Sequence, residues 1–128
     1  MKSGFTEDEY QRVRDWLLSA IAHDPTKITE ETLLEKLRSD EWKLITTEHA
    51  ASVLQLCTVD GEKIANVLLI GGEKNKSLRE IMKAHVVVGY YLKALGYAKI
   101  VGQPRKEFNA VLQRNGFQKG QEELFKEL

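Results

Sequence analysis

The spacing of apolar residues changes along this chain, and that change constrains the fold more than any other feature. Up to about residue 40, apolar side chains recur every three or four positions, which is typical of one helical face. Thr6 and Thr29 predict the starts of two helices, and Asp24-Pro25 predicts the end of the first. From Trp42 the pattern becomes that of β-strands, with Asp60-Gly61 as a strong turn signal. The sequence therefore predicts two helices and then an antiparallel meander of strands over 42–47, 53–59 and 63–70.

The helical spacing returns over 77–95, and Gly96 is placed to cap the C-terminus of that long helix. A short strand is predicted over 97–101 and a further helix over 104–115. The tail after Phe117 is either a final strand or a frayed helix. A strand, a crossover helix and a second strand form a βαβ unit. The fold class is therefore α+β with one α/β unit: N-terminal helices, a β-meander, then βαβ and a C-terminal helix.

Length and composition fit one small domain spanning residues 1–128. Cys57 is the only cysteine, which excludes an intrachain disulfide and fits a reducing compartment. No stretch approaches the roughly 20 apolar residues of a membrane helix, and the N-terminus lacks the apolar core of a signal peptide. We therefore expect a cytoplasmic protein that does not bind membranes.

The formal net charge is zero, but the charges are unevenly distributed. Residues 1–60 carry seven basic and twelve acidic side chains, whereas residues 61–128 carry twelve basic and seven acidic ones. This asymmetry indicates either an anion-binding half or two solvated faces that attract each other. Nucleic-acid binding would need aromatic side chains among the basic ones. Tyr90 and Tyr91 are adjacent on a helix and should point in different directions, so a nucleic-acid partner is not expected.

Several short motifs occur in a definite order along the chain: Glu41-Trp42, Leu68-Leu69-Ile70-Gly71-Gly72, Leu95-Gly96-Tyr97, Gly102-Gln103-Pro104-Arg105, Phe108, Leu112 and Gly116-Phe117. Together with the order of elements, these motifs resemble the GNAT fold of N-acetyltransferases. The form they resemble is the reduced one of small phage-encoded GNAT-like proteins. The similarity covers roughly residues 29–118, without an obvious first strand.

The resemblance implies an acetyl-CoA site between the strand before the long helix and the strand after it. In GNAT enzymes the loop into that helix usually reads Gln/Arg-x-x-Gly-x-Gly/Ala, and its backbone N–H groups hold the pyrophosphate. Here that motif is absent, and Glu73 would place a negative charge beside a phosphate. The alternative is that Gly71-Gly72 ends a strand and Ser77 caps a helix. The residues that the resemblance implies for cofactor binding are Gly71, Gly72, Lys74, Lys76, Ser77 and Arg105.

Acetyl transfer to an amine needs a base and an acid. The resemblance implies Glu73 as the best-placed base, because it follows the strand before the long helix; the alternative is that it is an ordinary loop carboxylate. The helix over 104–115 lacks the tyrosine that often serves as the acid, so Tyr97 is the substitute unless it only packs. His85 is either a buried base or a hydrogen-bonded core histidine. No group of side chains has the spacing of metal ligands.

Two functions remain open. The resemblance implies a phage or prophage protein that is not catalytic and acts through contacts with an unidentified protein partner, in the virion or in the host cytoplasm. The alternative is an acetyl-CoA-dependent N-acetyltransferase whose pyrophosphate loop has diverged. The missing loop motif favours the first function, and the basic segment 74–106 favours the second.

Overall fold

The computed structural model describes residues 1–22, 28–74, 76–102, 118–119 and 124–127. Three helices lie within these ranges: α1 Glu7–Ala22, α2 Glu30–Arg38 and α3 Ser77–Ala94. Both predicted helix starts in the N-terminal part are confirmed by capping hydrogen bonds. The Thr6 hydroxyl accepts the N–H of Glu9 at 3.2 Å, and the Thr29 hydroxyl accepts the N–H of Thr32 at 3.2 Å. The predicted stop at Asp24-Pro25 lies outside the described residues.

Seven described strands form one sheet in the order β1-β2-β3-β4-β5-β7-β6. All neighbouring strands are antiparallel except β4 and β5, which are parallel. The strands are β1 Lys2–Ser3, β2 Trp42–Thr46, β3 Ala50–Val59, β4 Glu62–Gly72, β5 Lys99–Gly102, β6 Gln118–Lys119 and β7 Leu124–Glu127. A mixed α+β fold is therefore confirmed.

Strand β1 corrects the expectation that a first strand is missing. It has only two residues, with Lys2 opposite Thr46 and Ser3 opposite Ile45. Two residues are too few to produce an alternating pattern, so the sequence carries no signal for this strand. Its place at the edge of the sheet is set by its pairing with β2.

The predicted meander consists of β2, β3 and β4. The β3–β4 connection is a two-residue hairpin turn in which Asp60 has φ 52° and Gly61 has φ 78°. Positive φ at both central residues defines the turn type that the Asp-Gly pair favours, because its twist matches that of the flanking strands. Val59 lies opposite Glu62, so the register starts directly at the turn.

The helices cover opposite faces of the sheet. Side chains alternate between the two faces along each strand, so Leu44 and Val53 pack with α1 and α2, whereas Ile45 and Leu54 pack with α3. The apolar residues predicted for α1, among them Val13 and Leu17, are part of the first core. The fold therefore has three layers with a hydrophobic core on each side of the sheet.

Helix α3 is the crossover between the parallel strands β4 and β5. Its C-terminus has the hydrogen bonds of a Schellman motif: Tyr97 N–H donates to the Leu92 carbonyl at 2.9 Å, and Gly96 N–H donates to the Lys93 carbonyl at 3.0 Å. Gly96 has φ 91°, which confirms its predicted role as the helix cap. This motif turns the chain directly into β5.

Near the end of the chain, β7 pairs with β5 on one side and with β6 on the other. Residues 124–127 are therefore a strand, and the frayed-helix alternative for this stretch is wrong. The helix predicted over 104–115 lies outside the described residues. In the described part of the chain, no helix combines the length and hydropathy needed to cross a bilayer.

Candidate functional site

Strand β4 separates from β5 partway along its length. The two strands pair from Ile64–Lys99 to Val67–Gly102, and β4 then continues to Gly72. A register shift against β3 at Val53/Leu54 leaves Leu68 as an extra residue, which is a β-bulge. After the bulge, the β5-facing edge of residues 68–72 has no strand partner among the described residues. The sheet therefore has an opening that leads towards the N-terminus of α3.

The bulge also changes which side chains face which core. Val67 packs on the α3 side, but Leu68 and Leu69 both pack on the α1 side, and Ile70 returns to the α3 side. The normal alternation is thus shifted by one residue in the middle of β4. As a result, Gly71 faces α1.

Gly71 is needed for close packing between α1 and β4. A Cβ atom at this position would lie 2.3 Å from the Trp16 carbonyl oxygen and 2.8 Å from the Trp16 carbonyl carbon. Both atoms belong to the helix backbone and cannot rotate away. The glycine that the resemblance implied for the cofactor is therefore explained by helix–strand packing, whereas Gly72 lies opposite Ala50 at the end of the strand.

The loop between β4 and α3 carries the predicted base. Glu73 N–H donates to the His49 carbonyl at 2.9 Å, and the Glu73 carboxylate lies 3.8 Å from the Lys76 ammonium. Lys74 and Lys76 are exposed. Lys76 is the N-cap of α3 and makes no side-chain capping bond. Ser77 is the first helical residue, so the expectation that it caps the helix is wrong by one position.

The other predicted catalytic residue lies at the opposite end of the sheet. Tyr97 follows the C-terminus of α3, and its ring lies 5.6 Å from the Lys63 ammonium near the start of β4. Helix α3 has 18 residues, so its two ends are about 27 Å apart. Glu73 and Tyr97 therefore do not share a site.

The basic side chains of the segment 74–106 do not all lie at one end of the sheet. Lys99 lies 3.2 Å from Glu62 at the start of β4, whereas Lys74 and Lys76 lie beyond its end. Arg105 is outside the described residues. Of the predicted cofactor-binding set, the described lysines that meet at one end of the sheet are Lys74 and Lys76.

A polar cluster that the sequence did not reveal lies at that same end. The Glu80 carboxylate, in the first turns of α3, accepts hydrogen bonds from the Thr47 hydroxyl at 2.5 Å and the His49 N–H at 2.8 Å. Its second oxygen lies 2.5 Å from His49 Nδ1. The Thr47 hydroxyl and then the His49 side chain lower the pKa of Glu80 to about 2. The His49 ring is therefore fixed by a carboxylate that stays ionised.

The loop bearing His49 is held from the other face as well. Arg12, on α1, donates to the carbonyls of Thr47 at 2.7 Å and Glu48 at 3.1 Å. Thr47 N–H donates to the Ala50 carbonyl at 2.8 Å. Side chains from both helix layers thus fix a short surface loop. The one sequence signal for this polar cluster was Glu80, which is the single acid in a basic segment.

His85 is a core histidine. It is buried, and its Nε2 atom lies 3.1 Å from the Ser52 hydroxyl. Burial lowers the pKa of His85 to about 4, and the nearby Lys126 charge acts in the same direction. Its Nδ1 atom has no hydrogen-bond partner among the described residues. The hydrogen bond to Ser52 fits a core histidine better than the alternative of a buried base.

Within the described residues, no three histidine, cysteine or acidic side chains are grouped so that they could hold a metal ion. The features of this end of the sheet are thus an opening between parallel strands, an uncapped helix N-terminus, two exposed lysines and a fixed histidine.

No protein-family model matches this sequence, and no curated protein matches it. Solved structures do match. A GNAT-family acetyltransferase from Listeria monocytogenes has a TM-score of 0.65 and 13% identity, over 99% of this chain and 94% of that one. N-acetylglutamate synthase from Neisseria gonorrhoeae, complexed with coenzyme A and N-acetyl-glutamate, has a TM-score of 0.68 and 10% identity, over 99% of this chain and 35% of that one.

A third similar structure is an AtaT–AtaR complex bound to DNA, with a TM-score of 0.57 and 12% identity over 74% of this chain and 73% of the matched one. At these identities the likeness concerns the fold. The chain has a GNAT-like fold, as its element order had indicated.

Proposed function

We propose that this chain binds an acyl-CoA in the opening between β4 and β5 and uses it for acyl transfer to an amine. The observation that carries the proposal is the separation of the two parallel strands after Val67 and Gly102, directly before the N-terminus of α3. Crevices at the carboxyl ends of parallel strands are where α/β folds bind ligands. The coenzyme A in one structural neighbour with this fold supports the same choice.

The residues at the start of α3 fit the diphosphate of such a cofactor. The first N–H groups of a helix lack intrahelical partners and attract anions. The N-cap, Lys76, leaves them without a side-chain capping bond. Lys74 and Lys76 are exposed beside them, and Lys76 also offsets the charge of Glu73. Gly71 faces Trp16 of α1, so we assign its lack of a side chain to helix packing.

Bound acyl-CoA would supply an activated thioester, and the chain would supply a proton acceptor. Two groups at this end of the sheet can accept a proton from an ammonium group: the Glu73 carboxylate and the His49 imidazole. Hydrogen bonding of Nδ1 to Glu80 leaves Nε2 as the accepting nitrogen of His49. Tyr97 lies too far away to protonate the leaving thiolate, so the thiolate takes its proton from solvent or from the protonated base.

The test is thermal unfolding of the chain with and without acetyl-CoA. Ligand at about 100 times its Kd should stabilise the fold by about 2.7 kcal/mol. We expect the Lys74→Glu, Lys76→Glu double variant to lose most of this stabilisation and Lys83→Glu, further along α3, to retain it. If millimolar acetyl-CoA leaves the unfolding temperature unchanged, the proposal is wrong.

A second candidate function has its own supporting observation. The predicted base and acid lie at opposite ends of the sheet, so the acid–base pair implied by the resemblance is not assembled. A non-catalytic protein that acts through protein contacts would need no such pair, and a structural neighbour of this fold comes from an AtaT–AtaR complex.

Measuring turnover separates the two functions. Thiol release from acetyl-CoA across a panel of amines supports the first, whereas cofactor binding without thiol release supports the second. The expected phage or virion setting is a prediction that the neighbouring genes test, because phage structural genes beside this one would favour it.

A further inference from the structure

The outer face of α3 exposes an apolar surface. Among the described residues, seven large hydrophobic side chains are exposed, and five of them lie on α3 or directly after it. Tyr90 and Tyr91 are 74% and 69% exposed. Isolated exposed apolar residues are common, but a contiguous patch marks an interaction site. We call this patch the α3 outer face; it consists of Val86, Val87, Tyr90, Tyr91 and Leu95.

Helical geometry makes most of this patch continuous. Positions 86, 87, 90 and 91 are three or four residues apart in pairs and therefore lie side by side. The opposite face of the helix, with Ile81, Val88 and Leu92, is already buried against the sheet. A helix that is apolar on both faces is normally covered on both. The α3 outer face thus lacks the cover that its composition predicts.

The exposed charges that α3 itself carries have one sign. Glu80 is the single acidic residue between 77 and 102, and its carboxylate is turned inwards to Thr47 and His49. Arg79, Lys83 and Lys93 are exposed on the same helix. An apolar patch with a basic border is complementary to an apolar surface with an acidic border.

A second copy of this chain does not fit the patch. An antiparallel pair of α3 helices centred on Val88 would place Lys83 beside the partner's Lys93, and a parallel pair would place each lysine beside its own copy. The exposed apolar area is roughly 500 Å² given the usual size of such side chains, less than the roughly 800 Å² per partner of a standard interface. An area of this size suits a single helix.

We propose that the α3 outer face binds an amphipathic helix of a partner protein, with apolar residues on one side and acidic residues along its borders. This is the helix-in-groove mode of recognition, in which apolar side chains at helical spacing supply affinity and flanking charges supply orientation. The face lies along the length of α3, away from the acyl-CoA site at its N-terminus, so the two proposals can fail separately.

The test uses a fluorescein-labelled amphipathic peptide of about five helical turns, with leucines on one face and glutamates elsewhere, and a matched peptide with lysines in place of the glutamates. Fluorescence anisotropy with the full chain measures both affinities. We expect the acidic peptide to bind at least about tenfold tighter than the basic one. Val87→Ser and Tyr90→Ser should each weaken it about tenfold. Val59→Ser, at an exposed valine away from α3, is the matched control and should leave binding unchanged.

Charge reversal and two other ligands complete the test. Lys83→Glu with Lys93→Glu should reverse the preference between the peptides. Equal binding of both peptides, or no binding of the acidic one, overturns the proposal. A dimer in sedimentation velocity that Tyr90→Ser abolishes would assign the face to a second copy. Tighter binding to oligothymidine, lost in the same variant, would assign it to nucleic acid. Either result overturns the proposal, and circular dichroism first confirms that each variant is folded.

Discussion

Replacing Gly71 with alanine tests whether this glycine serves helix packing. The added Cβ would lie 2.3 Å from the Trp16 carbonyl oxygen, about 1 Å inside normal contact. Because the opposing atoms are helix backbone, α1 must move away from β4 as a unit. Overpacking of this kind costs typically 1–3 kcal/mol. We expect a loss near the upper end, about 3 kcal/mol, because no side-chain rotation can relieve the contact.

Gly102→Ala is the matched control, since it adds the same methyl group to a buried glycine in the same sheet. Its Cβ would lie 3.4 Å from Val67 Cβ, which is ordinary contact. We expect this variant to lose less than about 1 kcal/mol. Urea unfolding followed by tryptophan fluorescence and circular dichroism measures both losses, because Trp16 and Trp42 are in or beside the core that α1 forms.

The reasoning is refuted if Gly71→Ala is no less stable than Gly102→Ala. A stable Gly71→Ala variant that no longer binds acetyl-CoA would show that the glycine serves the cofactor, as the family resemblance had implied. A destabilised variant that still binds acetyl-CoA would place Gly71 in the scaffold alone.

Three further predictions concern stability. Glu80→Gln should cost about 1.5–3 kcal/mol at neutral pH in urea unfolding, because the hydrogen bonds from Thr47 and His49 then go to a neutral amide oxygen instead of a charged carboxylate. Since the pKa of Glu80 is lowered to about 2, its contribution to the free energy of unfolding is complete above about pH 4.5 and is lost as the pH falls towards 2. The Glu80→Gln variant should lack this dependence on pH. The pKa of His85 is lowered to about 4 in the folded chain, so as the pH falls below 6.5 the unfolded chain protonates this histidine first. The free energy of unfolding should therefore decline between pH 6.5 and 4. An NMR titration of the His85 ring with a midpoint near 6.5 would contradict this. Gly96→Ala should cost about 1 kcal/mol in thermal unfolding, because φ at this position is 91°, which a residue with a Cβ rarely adopts. No atom lies within 4 Å of the new Cβ, so the cost comes from backbone strain and not from a clash. An unchanged unfolding temperature would contradict this.

The parts of the fold that the sequence predicted are those fixed by local chemistry. Thr29 caps α2, the Asp60-Gly61 pair forms the hairpin turn, and Gly96 ends α3. Each is determined by residues within a few positions of one another, so a local pattern is sufficient. The two-residue strand β1 depends on its distant partner β2 and left no pattern to detect.

The candidate site could be predicted only in part, because it is assembled by long-range contacts. Lys74 and Lys76 were found from the resemblance and lie together at the start of α3. The contact between His49 and Glu80 joins residues 31 positions apart. Glu80 stood out only as the single acid in a basic segment, and nothing in the sequence paired it with His49. The predicted βαβ unit already implied parallel strands, and parallel strands place Tyr97, before β5, at the opposite end of the sheet from Glu73, after β4.

The division of the core between two faces has a consequence for synthesis on the ribosome. The described side chains of the core beneath α1 and α2 all precede residue 70. That half can close while α3 is still in the exit tunnel, since chains emerge from their N-terminus and fold in parts as they do so. Until α3 arrives, the other side of the nascent sheet, with Ile45 and Leu54, faces water. In the interval between these two events, the chain exposes apolar surface of the kind that chaperones bind.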